Sequence, residues 1–278
     1  LRYPLILTFS ITLCFTVQSL ALRSVGGRTN KSESNFFSSL ARIQTGIRGQ
    51  PETFLLGSSI TGRLPDRSNG FAGVANLGCD GANAVDTLRA IDRGQIPWAP
   101  RIIIEGNTLY RSVGKPPTEI SSTITSPWFQ IGSELPNLGA TARPSAFLYS
   151  RLLAGKIGEA HHDKCTRLDI ANLPKILMCD PPILNKQELT LIKELSEIIN
   201  RLEVKGTQFL ITLLPPGGKS DSVHVRLPVA LAIESGVPFW DLVSGLPPDS
   251  IRFTDGVHMD PQSAATVMTL LLEKNQSE

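Results

Sequence analysis

A serine hydroxyl attacks an ester only when a base within hydrogen-bonding reach takes its proton, and that base works best when a carboxylate orients it. The chain carries these three groups in two widely separated blocks. The first is Phe54-Leu55-Leu56-Gly57-Ser58-Ser59-Ile60, an apolar run that ends in a glycine and two hydroxyl residues. The second is Asp255-Gly256-Val257-His258, just ahead of the last apolar-periodic segment. Ser59 is the candidate nucleophile, His258 the base and Asp255 the group that orients it; Ser58 is the alternative nucleophile. Glycine permits a tight turn after a strand, and a helix starting behind Ser59 would favour developing negative charge. Taken singly, a Ser-Ser pair reads as a helix cap and Asp-x-x-His as an ordinary turn.

Two further blocks supply what acyl transfer also needs, donors aimed at the oxyanion of a tetrahedral intermediate. Asn76-Leu77-Gly78-Cys79-Asp80-Gly81 offers the backbone N–H of Gly81, and Glu105-Gly106-Asn107 offers a side-chain amide at Asn107. The N–H of Ser59 itself completes the expected oxyanion hole. Gly and Asn also favour plain turns, so these blocks count through their order and spacing.

The positions of the four blocks follow from the elements around them. Five short apolar runs read as strands: Thr53–Leu56, Gly73–Leu77, Arg101–Glu105, Gln208–Leu213 and Val237–Leu242. Ile102-Ile103-Ile104 and Phe209-Leu210-Ile211 show no polar alternation, as expected of strands covered on both faces. Helical patterns lie between them over Ala84–Ile91, Lys186–Val204, Val223–Glu234 and Pro261–Glu273, the last with Asp260 as N-cap and proline at its first position. Alternation of this kind predicts an α/β fold, a three-layer α/β/α sandwich on a parallel five-stranded sheet. Each block then falls after a strand, at the carboxyl edge where ligands gather in open α/β sheets.

In this order the four blocks resemble the SGNH (GDSL-type) hydrolase superfamily, over Gly57 to His258. The resemblance implies a flavodoxin-like sandwich, Ser59 as nucleophile, Gly81 and Asn107 as oxyanion donors with the Ser59 N–H, and Asp255 and His258 as the remaining pair. Two departures mark a divergent branch: Ser58 and Thr108 stand where the family usually has aspartates. Gly-Ser-Ser openings are similar to those of envelope-associated members that move acyl groups on polysaccharides.

Composition narrows the alternatives. A net charge of +2 over 278 residues and 6% aromatics give no electrostatic or stacking basis for nucleic acid binding. His161-His162-Asp163-Lys164-Cys165 has ligand-type residues but no second pair to complete a zinc site, so no metal is expected. Leu214-Pro215-Pro216-Gly217-Gly218-Lys219 lacks the phosphate-loop pattern and reads as a wall of the cleft. Serine chemistry of this kind calls for no cofactor. Trp240 reads as core and Trp128 as the side chain to stack on a sugar ring. Of the cysteines, Cys165 and Cys179 are the pair an oxidising compartment would bridge, leaving Cys79 free.

The N-terminus has the pattern of an export signal: Arg2, an uncharged stretch from Tyr3 to Leu22, and small residues at Ser19-Leu20-Ala21. Residues 1–21 therefore read as a signal peptide or an uncleaved anchor, cleavage being the favoured outcome. Residues 22–50 read as a linker with a short amphipathic helix carrying Phe36, Phe37, Leu40, Ile43 and Ile47, and residues 51–278 as the catalytic domain. Within the latter, about 109–185 breaks the strand–helix rhythm and reads as an insertion or lid, with Ser145–Leu153 a helical candidate. The location expected is periplasmic, cell-envelope or secreted, with membrane contact only through an uncleaved N-terminus. The expected activity is a serine esterase that removes acyl groups, O-acetyl foremost, from an envelope or extracellular carbohydrate or a small ester. Two alternatives stand beside it: an O-acyltransferase whose insertion excludes water, and a catalytically silent carbohydrate-binding or assembly protein.

Overall fold

The structure is a computed structural model that describes residues 2–24, 34–146, 148–149, 182–217, 222–247 and 250–273. In chain order its elements are α1 (Arg2–Ser24), α2 (Asn35–Gly46), β1 (Thr53–Leu56), β2 (Val74–Asn76), α3 (Val85–Asp92), β3 (Arg101–Glu105), α4 (Glu119–Ile124), α5 (Pro127–Glu134), α6 (Lys186–Val204), β4 (Gln208–Leu213), α7 (Val223–Ser235), β5 (Phe239–Asp241), α8 (Leu242–Gly245) and α9 (Pro261–Glu273). The five strands form one sheet in the order β2-β1-β3-β4-β5, every neighbour parallel. This is the flavodoxin-like order, which reverses direction between β1 and β3 and opens a crevice at their carboxyl ends.

Alternate residues of each strand face opposite layers. Phe54, Leu56, Ile102, Ile104, Phe209 and Ile211 point into a core closed by α2, α3, α6 and α7. Leu55, Ile103, Leu210 and Trp240 point the other way, into a core closed by Val267, Met268 and Leu271 of α9. Strands buried on both sides explain the unbroken apolar runs.

Where a local signal was strong, the helix bounds match the sequence reading. Asn185 caps α6 in a reciprocal capping box with Glu188, and Asp260 accepts the N–H of Ser263 at the start of α9. Edge strands are shorter than expected. Gly73 has φ +75°, which takes it out of β2, and its carbonyl accepts the N–H groups of Glu52 and Thr53. At β5, Pro238 has no N–H to give the ladder, and Asp241 already caps α8 through Val243 and Ser244. α3 lies one residue later than read, because Asn83 rather than Ala84 supplies the side-chain acceptor for Val85 N–H.

The largest correction concerns the insertion. Its described part is not irregular: it contains α4, α5 and three 3-10 turns between Leu109 and Ala142. α4 and α5 are six and eight residues long, too short to show a helical period, although Ser126-Pro127 is a cap-and-start signal that marks α5. Most of Ser145–Leu153, all of the 161–165 cluster, and Cys165 and Cys179 lie outside the described residues.

Candidate active site

The end of β3 explains the shape of the serine loop. The Glu105 side chain is 1% exposed and accepts from Ser58 N–H (2.8 Å), Ser58 Oγ (2.9 Å), Thr61 Oγ1 (2.7 Å), Thr61 N–H (3.3 Å) and Thr108 Oγ1 (3.2 Å). One carboxyl group thus ties the loop after β1 to the loop after its neighbour β3. Gly57 is required by this closeness, since a Cβ there would collide with Thr61 and Glu105. Ser58 is buried with its hydroxyl turned to Glu105, which leaves Ser59 at the open rim, half-buried. The two adjacent serines are therefore separated by direction, and only Ser59 faces the histidine.

That histidine comes from a tight loop closed by an antiparallel bridge between Phe253 and Met259. Thr254 N–H donates to the His258 carbonyl at 2.8 Å, and Gly256 turns the chain at φ +78°. Oδ1 of Asp255 accepts the N–H groups of Val257 (3.1 Å) and His258 (2.8 Å), while Oδ2 is 2.7 Å from Nδ1 of His258. An ionised carboxylate can only accept, so Nδ1 carries the proton and the neutral ring presents a lone pair at Nε2. Nε2 lies 2.9 Å from Ser59 Oγ, within reach to accept its hydroxyl hydrogen bond. The hydrogen bond from the His258 ring, reinforced by the backbone N–H of His258 and then of Val257, holds the Asp255 carboxyl far below the usual carboxylate range.

A prediction follows from the two separate oxygens of Asp255. In Asp255→Asn the oxygen is expected to stay on the backbone N–H groups, placing NH2 against Nδ1. The ring then carries its proton on Nε2 and cannot accept from Ser59. Ester cleavage should fall about 10³- to 10⁴-fold with the melting temperature little changed. An aryl acetate assay and a thermal melt on the same sample check this.

The sign of the pH dependence follows as well. A depressed carboxyl contributes stability that is complete above its unfolded value, near 3.9, and is lost only as pH falls toward the folded one. Asp255 therefore keeps its charge between about pH 5 and 8 and goes on orienting the His258 ring throughout that interval. A carboxyl-carbon NMR signal of Asp255 that titrates within that interval would count against this pairing.

The residues expected as oxyanion donors beside Ser59 lie on the loops after β2 and β3, next to the serine loop. Cys79 N–H donates to the Gly57 carbonyl at 2.8 Å, which holds the loop after β2 against the serine loop. α2 fixes the same loop from outside: Arg42 pairs with Asp80 at 3.0 Å and also donates to the Gly78 carbonyl, while Ser39 Oγ accepts from Asp80 N–H at 2.8 Å. Gly81 follows with φ +79°. Among the described residues, the N–H groups of Ser59 and Gly81 have no hydrogen-bond acceptor. The N–H groups of Ile60, Thr61 and Gly62 are all taken, by Ser58 Oγ, Glu105 and the Ser58 carbonyl. Only a 3-10 turn, Thr61–Arg63, follows the serine, so the helix N-terminus expected there is absent and contributes no macrodipole.

Asn107 is buried, and its side chain pairs with the backbone of Leu214: Nδ2 donates to the carbonyl at 2.7 Å and Oδ1 accepts the N–H at 2.9 Å. An amide nitrogen has two hydrogens, so one donor remains beyond that bond. The sequence reading missed His224, whose Nδ1 is 3.0 Å from the Asn107 carbonyl and whose ring packs edge-on against Tyr110 at 4.4 Å. Its position at the start of α7 was the available signal, because β4 delivers that helix to the same rim.

Two expectations do not hold. Trp128 is not at this rim. It lies on α5, whose Gln130 donates to the Gln95 carbonyl ahead of β3, and whose carbonyls at Gly132 and Ser133 accept from Arg48 ahead of β1. Both anchors are at the amino edge of the sheet. For the same reason the described part of the insertion, which packs on α2 and α3, does not form a lid over Ser59. Trp240, by contrast, is core as expected. Burial pushes the Cys79 thiol up to about 11, the Thr87 hydrogen bond offsetting this only in part, so this side chain is no nucleophile near neutral pH. Among the described residues no group of three or more His, Cys, Asp and Glu is placed to hold a metal.

The fold is thus a three-layer α/β/α sandwich of flavodoxin-like order with a Ser–His–Asp chain at the crevice between β1 and β3. No family model, curated protein or solved structure matches the chain.

Proposed function

We propose that the protein is a serine esterase of SGNH type that cleaves acyl esters, O-acetyl esters of an exported carbohydrate foremost, through an acyl-enzyme. The observation that carries this reading is the continuous relay from Ser59 Oγ to His258 Nε2 and from Nδ1 to Asp255, at 2.9 and 2.7 Å. As the substrate carbonyl arrives, Ser59 Oγ bonds to its carbon while His258 takes the hydroxyl proton. Negative charge on the carbonyl oxygen is met by the N–H groups of Ser59 and Gly81 and the free hydrogen of Asn107. Collapse expels the alcohol, which receives the proton back from His258. Water, deprotonated by the same ring, then attacks the acyl-serine and releases the acid.

The half-exposed rim, with Gly81 and Asp255 open to solvent, supports water as acceptor over a buried sugar hydroxyl. Export supports an extracellular ester as substrate, and the apolar N-terminal helix is compatible with it.

The test is a pre-steady-state assay with 4-nitrophenyl acetate, with and without a saccharide acceptor. Expected is a nitrophenolate burst equal to the enzyme concentration, followed by steady release of acetate whether or not saccharide is present. Acetylated saccharide in place of acetate would reassign the protein as a transferase. No burst and no turnover with any acyl ester would remove the enzymatic reading.

A further inference from the structure

We propose that α1 is retained as a membrane anchor and that the face formed by α5 and the turns at 136–142 rests on the bilayer surface. The first observation is where α1 joins the domain. Residues 2–17 are exposed, whereas Gln18, Ser19 and Ala21 are half-covered by those turns. Asn137 Nδ2 donates to Ser19 Oγ at 2.6 Å, and the Gln18 amide donates to the Ala142 carbonyl. Arg2–Ala21 is 20 residues long and apolar enough to cross a membrane. At 1.5 Å per residue this gives about 30 Å, the thickness of the hydrocarbon core. A span of that length ending at Ala21 brings whatever touches its last turns to the level of the lipid headgroups.

The second observation is what surrounds that junction. Trp128 is 76% exposed and Trp98 is 51% exposed, and they flank the Gln130–Gln95 hydrogen bond that ties α5 to the loop before β3. Leu135 and Leu138, exposed by about as much as Trp98, continue from α5 into the turn that holds α1. Tryptophan with one polar and one apolar end is the side chain that settles at a bilayer interface. Between residues 116 and 142 the only charged side chains are Glu119 and Glu134, with Arg23 in the last turn of α1 and Arg143 beside the turns, so the face carries no cationic cluster. The partner this chemistry fits is the neutral interfacial zone of a bilayer. In that orientation the amino edge of the sheet faces the membrane, and the carboxyl edge with Ser59 faces water.

The experiment uses the full chain in phosphatidylcholine vesicles with brominated acyl chains, which quench tryptophan on contact. Two of the three tryptophans face the lipid in this arrangement while Trp240 is buried. The wild-type protein should sediment with the vesicles and lose the larger part of its tryptophan emission. The W98F/W128F variant should sediment equally and keep its emission. Wild-type protein that sediments unquenched would overturn the docking face. A chain recovered from its membrane fraction or medium starting after Ala21, and failing to sediment, would overturn the retained anchor. Aryl acetate cleavage should be the same in both proteins, so a failed quenching result leaves the esterase reading untouched and the reverse holds too.

Discussion

Ser59→Ala is expected to lower the rate of aryl acetate cleavage by about 10⁴- to 10⁶-fold, the range for loss of an activated serine nucleophile. The side chain's hydrogen bond is to His258 at a half-exposed rim, so stability should change by no more than about 0.5 kcal/mol. The pairing of a large kinetic effect with an unmoved melting temperature distinguishes a nucleophile from a structural serine. Ser58→Ala should give the opposite pattern: it removes a buried donor to Glu105, lowering stability, while the nucleophile remains. A variant at position 59 that cleaves as fast as wild type would end the assignment.

The second large effect is expected at Glu105, and it is structural before it is kinetic. Glu105→Ala strips an acceptor from two buried N–H groups and three hydroxyls. Each buried donor left without a partner costs about 1–3 kcal/mol, although hydroxyls can turn elsewhere and the loop can relax. A net loss of about 3–5 kcal/mol is the expected sum. For a domain of this size that lowers the melting temperature by about 6–20 °C. Folded Glu105→Ala should also turn over slowly, because Ser58 and Thr61 bracket Ser59 and move with it. Glu105→Gln keeps one oxygen but points an NH2 at the donors of Ser58 or Thr61, so it should fall between the two. Thermal unfolding and kcat on each variant check this; unchanged melting in Glu105→Ala would show that the loop is held by something else.

Glu105 also marks the limit of what could be read from residue types alone. Five strands were legible because Ile102-Ile103-Ile104 and its counterparts are short apolar runs that alternate with helical patterns, while Gly73, Pro238 and Asp241 trimmed the edge strands. α6 and α9 were legible to the residue because Asn185 and Asp260 cap them. Ser59, His258 and Asp255 stood out because a base and its orienting carboxylate are rare needs. Which of two adjacent hydroxyls points to the base was not legible, since that depends on where Glu105 lies, and Glu105 is positioned by pairing with another strand. Ser58 and Thr108 stand where the resemblance leads one to expect aspartates, and neither carries a charge. Both donate to Glu105, so the carboxyl group is supplied from the strand end instead. Trp128 was misplaced because the path of an insertion follows from packing on α2 and α3, which no spacing in the chain encodes.

The most direct test of the central claim is covalent labelling with a fluorophosphonate ester, which reacts with an activated serine and mimics the tetrahedral intermediate. The full chain should take up one label, mapped by peptide mass to Ser59, with labelling abolished in Ser59→Ala and strongly slowed in Asp255→Asn. A label found on Ser58, or protein that remains unlabelled while still cleaving aryl acetate, would contradict the account.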